Sequence, residues 1–87
     1  ACHCSYCKKS TGSTFRTAAW FLKSQIVGTT GKTKVFNESE RSKGIDFHFC
    51  VKCGSTIFWT FSHTPKYQAV AVGCFDDPDF PRPNFEF

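Results

Sequence analysis

Methionine is absent from these 87 residues, and so is any long apolar run. The longest hydrophobic stretches fall far short of the roughly 20 residues that a membrane-crossing helix needs, which excludes a helical membrane span. No basic–apolar–small pattern of a secretory signal opens the sequence. No segment sustains a 3.6-residue hydrophobic period, which argues against a helical bundle and for a mainly β chain. Internal repeats and low-complexity tracts are also missing. The first residue already stands inside a cysteine motif, so the sequence is expected to be a piece of a longer protein. Acids are scarce up to position 66, with three against ten Lys and Arg, whereas residues 67–87 hold four acids and one Arg. That balance suits an anionic small molecule. Ten basic residues scattered singly describe a solvated surface more readily than a nucleic-acid patch.

What the sequence does have is sulfur and aromatic rings. Six Cys and fifteen aromatics, eleven of them Phe, sit in a chain small enough that a core alone gives marginal stability and a metal would help. Three of the thiols crowd the opening Ala1-Cys2-His3-Cys4-Ser5-Tyr6-Cys7. In extended backbone Cys2 and Cys4 share a face, and a turn after Cys4 brings Cys7 round to them. Three converging sulfurs suit a soft divalent ion, zinc above all. Three protein ligands rather than four leave a coordination position open, the mark of a catalytic site. His3 points away from its cysteine neighbours and is read as a non-ligand. A disulfide scaffold is the competing reading of six Cys. The Cys-x-Cys and Cys-x-x-Cys spacings and the lack of a secretory signal favour metal, and with it a reducing cytoplasm.

Along the chain, Lys8–Ser13 reads as a polar turn or a single helical turn stopped by Gly12. Residues 14–21 (TFRTAAWF) read as a strand with Phe15 and Phe21 on one face and Trp20 on the other. After a connector and the turn Thr29–Lys32 come a short strand, 33–36, and a charged loop, 37–44. Ile45–Cys50 (IDFHFC) alternates strictly, with Ile45, Phe47 and Phe49 opposite Asp46, His48 and Cys50. Cys50-Val51-Lys52-Cys53-Gly54 is then a zinc-knuckle pattern at a hairpin tip, where Gly54 can take positive φ and let backbone N–H groups turn toward the sulfurs. Strands are expected at 55–61 and 68–74, followed by an irregular Pro- and Asp-rich tail. His48 shares a face with Cys50 and is a weak ligand candidate, while His63 lies in a turn. Cys74 is expected to be a small buried residue, and Trp20 and Trp59 core residues, with substrate-stacking walls as the alternative.

Three blocks carry a family resemblance: Cys2-His3-Cys4-Ser5-Tyr6-Cys7 with Lys8–Ser13, then Phe49-Cys50-Val51-Lys52-Cys53-Gly54-Ser55, then Gly73-Cys74-Phe75-Asp76-Asp77-Pro78. In this order the chain resembles the glutathione-dependent formaldehyde-activating (GFA) family, which also contains the centromere protein V-type proteins. The resemblance spans nearly the whole sequence. It implies an Mss4-like fold of twisted antiparallel sheets, with 1–87 as a single zinc-binding domain, incomplete relative to the family. It also implies a catalytic Zn2+ on Cys2, Cys4 and Cys7, and half of a structural zinc site at Cys50 and Cys53. The family's other two structural ligands come from an upstream Cys-x-Cys that this sequence does not include. The implied activity is that of a carbon–sulfur lyase-type enzyme, which activates glutathione for addition to formaldehyde. Lys8, Lys9 and Arg16 are the expected partners of the thiol's carboxylates. A non-catalytic zinc module that binds protein or nucleic acid is the alternative, and a homodimer is left open.

Overall fold

The strict alternation of residues 45–50 sets the frame. In the computed structural model, which describes residues 1–37 and 44–86, Ile45–Cys50 is a strand over the whole of that stretch. It is β3 of five: β1 Ala18–Leu22, β2 Thr33–Phe36, β3 Ile45–Cys50, β4 Thr56–Phe61 and β5 Tyr67–Ala71. They form one antiparallel sheet in the order β1-β5-β4-β3-β2, with β1 and β2 at the edges. The expected charged loop at 37–44 lies, apart from its two end residues, outside the described residues. Among the described residues no helix is long and apolar enough to cross a membrane.

Register explains where the core sits. Residues directly opposite each other in neighbouring strands share a face. Phe36 pairs with Phe47, Phe47 with Trp59, Trp59 with Ala69, and Ala69 with Trp20, so one row of side chains crosses the whole sheet on one face. The three central members are the buried ones: Phe47 and Trp59 are each 6% exposed and Ala69 is fully covered. Tyr6, Ala18, Ile45, Phe61 and Ala71 pack around them. The two ends of the row lie on edge strands, and there Phe36 and Trp20 are each 53% exposed. Trp59 is therefore a core residue as expected, and Trp20 is not. An edge position gives Trp20 a neighbour on one side only, and it stacks on Phe61 with ring centroids 4.6 Å apart.

The covering element on this face is a helix that starts within the cysteine motif. α1 runs Ser5–Thr11, longer than the turn expected at 8–13, and Gly12 ends it with φ 67° and its N–H on the Lys8 carbonyl. Only glycine takes that left-handed cap without strain, which is why the helix stops there. α1 presents Tyr6 to Phe47, ring centroids 6.0 Å apart, and buries Cys7.

Two further expectations are corrected. The strand expected at 14–21 begins only at Ala18, because Arg16 pairs instead with Cys2 in an isolated antiparallel bridge. The strand expected at 68–74 ends at Ala71 and gives way to a 3-10 turn, Val72–Cys74, which lifts Cys74 off the sheet. Cys74 is consequently exposed rather than buried, its thiol 3.6 Å from the Thr56 carbonyl oxygen.

Candidate metal centre and adjoining cavities

Three local devices bring the first three cysteines together. The Cys2–Arg16 bridge, with N–H···O distances of 2.8 and 2.9 Å in the two directions, pins Cys2 beside the sheet. Cys4 is the N-cap of α1, in extended backbone, and its sulfur accepts the Cys7 N–H at 3.4 Å. Cys7 lies in the first turn of α1 on the side facing the core. The three Sγ atoms all fall within 4.8 Å of one another. A tetrahedral zinc with Zn–S bonds of about 2.3 Å sets its sulfurs about 3.8 Å apart, so this donor set fits a soft divalent ion after a small contraction. Among the described residues it is the one group of three or more potential ligands so arranged.

The three sulfurs stand in different environments. The Cys7 N–H pointing at its sulfur holds the Cys4 thiol below its ordinary value of 9.0. Burial, followed by the neighbouring Cys2 and Cys4 thiols, pushes Cys7 up to about 12. His3 turns away from the cluster, as expected. Its ring packs on Phe15 with centroids 5.3 Å apart, and its Nε2 lies 3.7 Å from the Glu86 carboxylate.

Beside the sulfurs lies a mainly apolar cavity of about 280 Å³, with Cys2, Cys4 and Cys7 on one side and Tyr6, Trp20, Phe47 and Trp59 among its other walls. Trp20 and Trp59 thus both face the cavity that adjoins the thiols. Arg16 is part of the same wall. Its guanidinium carbon lies 4.7 Å from the Phe47 ring centre, 5.0 Å from Trp59 and 5.9 Å from Tyr6. Such cation–π contacts each contribute about 0.5–2 kcal/mol and hold the group against the rings.

Cys50 and Cys53 occupy the tip of the β3–β4 hairpin, as the knuckle pattern predicts. Gly54 has φ 76°, its N–H bonds the Cys50 carbonyl at 2.9 Å, and the Lys52 N–H approaches the Cys50 sulfur at 3.4 Å. Hydrogen bonding from Ser55 lowers the Cys53 thiol below its ordinary value. No third described ligand joins this pair. His48, the weak candidate, stacks on Phe58 with centroids 4.2 Å apart, and His63 is exposed. Lys8 and Lys9 are exposed on α1 and line neither this cavity nor the one described next.

A second cavity, of about 420 Å³, opens on the other side of Arg16 and Trp59, against the hairpin tip. Sequence reading missed it. Its hydroxyl groups come from α1, from the bridge segment, from the hairpin tip and from the start of β4, and only the fold assembles them.

The fold and site together define a small antiparallel β domain with a three-thiol, metal-competent centre opening on an aromatic cavity. Residues 1–87 match the family described as glutathione-dependent formaldehyde-activating enzyme, and the chain belongs to that family. The mainly β architecture is that of its Mss4-like fold. No curated protein and no solved structure matches the chain. Membership supports an enzymatic role concerned with thiols and formaldehyde.

Proposed function

We propose that this chain is a zinc-dependent carbon–sulfur lyase-type enzyme that activates glutathione for addition to formaldehyde, giving S-hydroxymethylglutathione. The observation that carries the reading is the convergence of the Cys2, Cys4 and Cys7 sulfurs on the wall of a mainly apolar, aromatic cavity. In this reading those three thiolates are the catalytic zinc ligands. Zinc held by them supplies an open coordination position and a lowered pKa for a thiol that enters it. In the reaction a sulfur–carbon bond forms between the thiol sulfur and the formaldehyde carbon. The carbonyl π pair moves to oxygen, which takes up the proton given up by the thiol, so atoms and charge balance.

The chain's own residues then have definite tasks. Phe47, Trp59 and Tyr6 exclude water from the reacting sulfur. Trp20, exposed at the sheet edge, forms the mouth. Arg16 offers a cation at the wall, and Lys8 and Lys9 offer two more on the outer face of α1 for the carboxylates of the tripeptide. Cys50 and Cys53 would supply two of the four ligands of a separate structural zinc, a site that this pair does not complete by itself. Thiols poised for metal persist in reducing surroundings, which supports a cytoplasmic setting in this reading.

The test is the rate of adduct formation from glutathione and formaldehyde, followed by NMR against the spontaneous reaction. Zinc-loaded wild type is expected to accelerate it, Cys7→Ala to return it to the spontaneous rate, and the Lys8→Ala/Lys9→Ala pair to raise KM several-fold with kcat little changed. A wild-type rate equal to the spontaneous one removes the enzymatic reading. An unchanged KM in the lysine pair removes those two residues from it.

A further inference from the structure

We infer that the hydroxyl-lined cavity on the far side of Arg16 is a carboxylate-binding site, with Arg16 as its clamp. Arg16 carries five N–H donors. One of them, on Nη2, meets the Ser10 hydroxyl oxygen at 2.6 Å. Among the described residues no carboxylate lies within ion-pair reach of it, the ion pair found there being His3 with Glu86. The guanidinium carbon lies over the rings of Phe47 and Trp59, 4.7 and 5.0 Å from their centres, and the Ser10 contact holds it from a second side. A guanidinium held in this way is preorganised for a bidentate oxyanion.

The cavity is built to match. Hydroxyls of Ser10, Thr17, Ser55 and Thr56 line it together with Arg16 and the Trp59 ring. Arg16 is the one charged residue in its wall. A single positive charge balances a monoanion such as a carboxylate, whereas a phosphate carrying nearly two charges would need a second cation there. The hydroxyls of Thr17 and Thr56 make no hydrogen bond to another described side chain, which leaves donors free for the second carboxylate oxygen. Arg16 and Trp59 also line the cavity beside the three thiols. A molecule anchored by its carboxylate at Arg16 therefore has a path past the Trp59 edge toward the sulfurs. That path to the thiols rests on the function proposed above; the carboxylate site itself does not.

The experiment titrates zinc-loaded wild type with propionate, propionamide and inorganic phosphate, none of which carries a thiol, and follows the Arg16 side-chain NεH and the Ser55 and Thr56 amides by NMR. Propionate is expected to give saturable shifts at these three positions, with propionamide binding at least about tenfold more weakly because it lacks the charge-assisted contact. Arg16→Lys keeps the charge and the aliphatic stem but loses the fork, and is expected to weaken propionate by about tenfold. Equal binding of propionate and propionamide, or an absence of shifts at these positions, overturns the site. Tighter binding of phosphate than of propionate overturns its assignment to carboxylates. Propionate binding without any acceleration of the glutathione reaction leaves the site standing and removes the thiol chemistry.

Discussion

Zinc affinity is expected to climb by about tenfold per pH unit for every thiol proton that binding displaces. The three sulfurs should not contribute alike. Cys4 is held below its ordinary value by the Cys7 N–H, so as pH rises it arrives deprotonated well before Cys7, and its share of the slope fades earlier. Cys7 is pushed up to about 12 by burial, so it still carries its proton throughout the neutral and mildly alkaline range. The slope of log affinity against pH is therefore steepest in mild acid and flattens on going alkaline, but stays near one while Cys7 remains to be deprotonated. Competition with a chelator of known pH dependence measures it. A slope near zero between pH 7 and 9 would mean that Cys7 is not a ligand. The same shift has a counterpart in the metal-free chain. An acid with its folded value raised keeps its proton when the unfolded chain has lost it. Stability is thus unaffected by Cys7 below 9.0 and declines as pH rises from there toward 12.

The largest effect on folding is expected at Trp59. Its ring sits at the middle of the row that crosses the sheet, opposite Phe47 on one side and Ala69 on the other. It is 6% exposed, contacts Phe47 with ring centroids 5.6 Å apart, supports the Arg16 guanidinium and walls both cavities. Removing such a ring costs about 3–5 kcal/mol, a large fraction of the stability of a domain this small. Trp59→Ala without metal is expected to be largely unfolded by urea titration, with zinc restoring part of the loss because the ion binds the folded state. Trp20→Ala is the control. Half-exposed on an edge strand, it is expected to lose about 1 kcal/mol or less. Equal losses in the two variants would mean that the edge of this row is covered as well as its centre, against the exposures of 53% and 6% described.

What was legible in the sequence follows from how local each signal is. Ile45–Cys50 could be read because its alternation has period two without a break and its inward Phe47 is the residue that becomes buried. The hairpin tip at Cys50–Gly54 was equally legible, since two thiols and a positive-φ glycine are a local signature. Convergence of Cys2, Cys4 and Cys7 followed from spacing alone. The helix that carries Cys7 was foreseen only in part, because a seven-residue helix has too few turns to show a period and only Gly12 announced its end. The start of β1 was misplaced because Thr14–Thr17 has strand composition, yet Arg16 spends its backbone hydrogen bonds on Cys2, a partner far away in the chain. Residue type by itself suggests burial for Trp20 and Cys74, and both are exposed. Their exposure is set by an edge position and by a turn after Ala71, which are properties of the assembled sheet. The second cavity was illegible for the same reason: its residues are scattered over four segments, and Arg16 gains its meaning only from the rings beneath it.

The central claim is that Cys2, Cys4 and Cys7 hold one zinc, and elemental analysis tests it most directly. Protein purified in reduced form without added metal is measured as wild type and as Cys4→Ala. Close to one zinc per wild-type chain, lost in the variant, is the predicted result; a second equivalent that survives Cys4→Ala would report the Cys50/Cys53 pair finding its missing ligands. Wild-type protein without zinc, or zinc fully retained in Cys4→Ala at one per chain, would contradict the account.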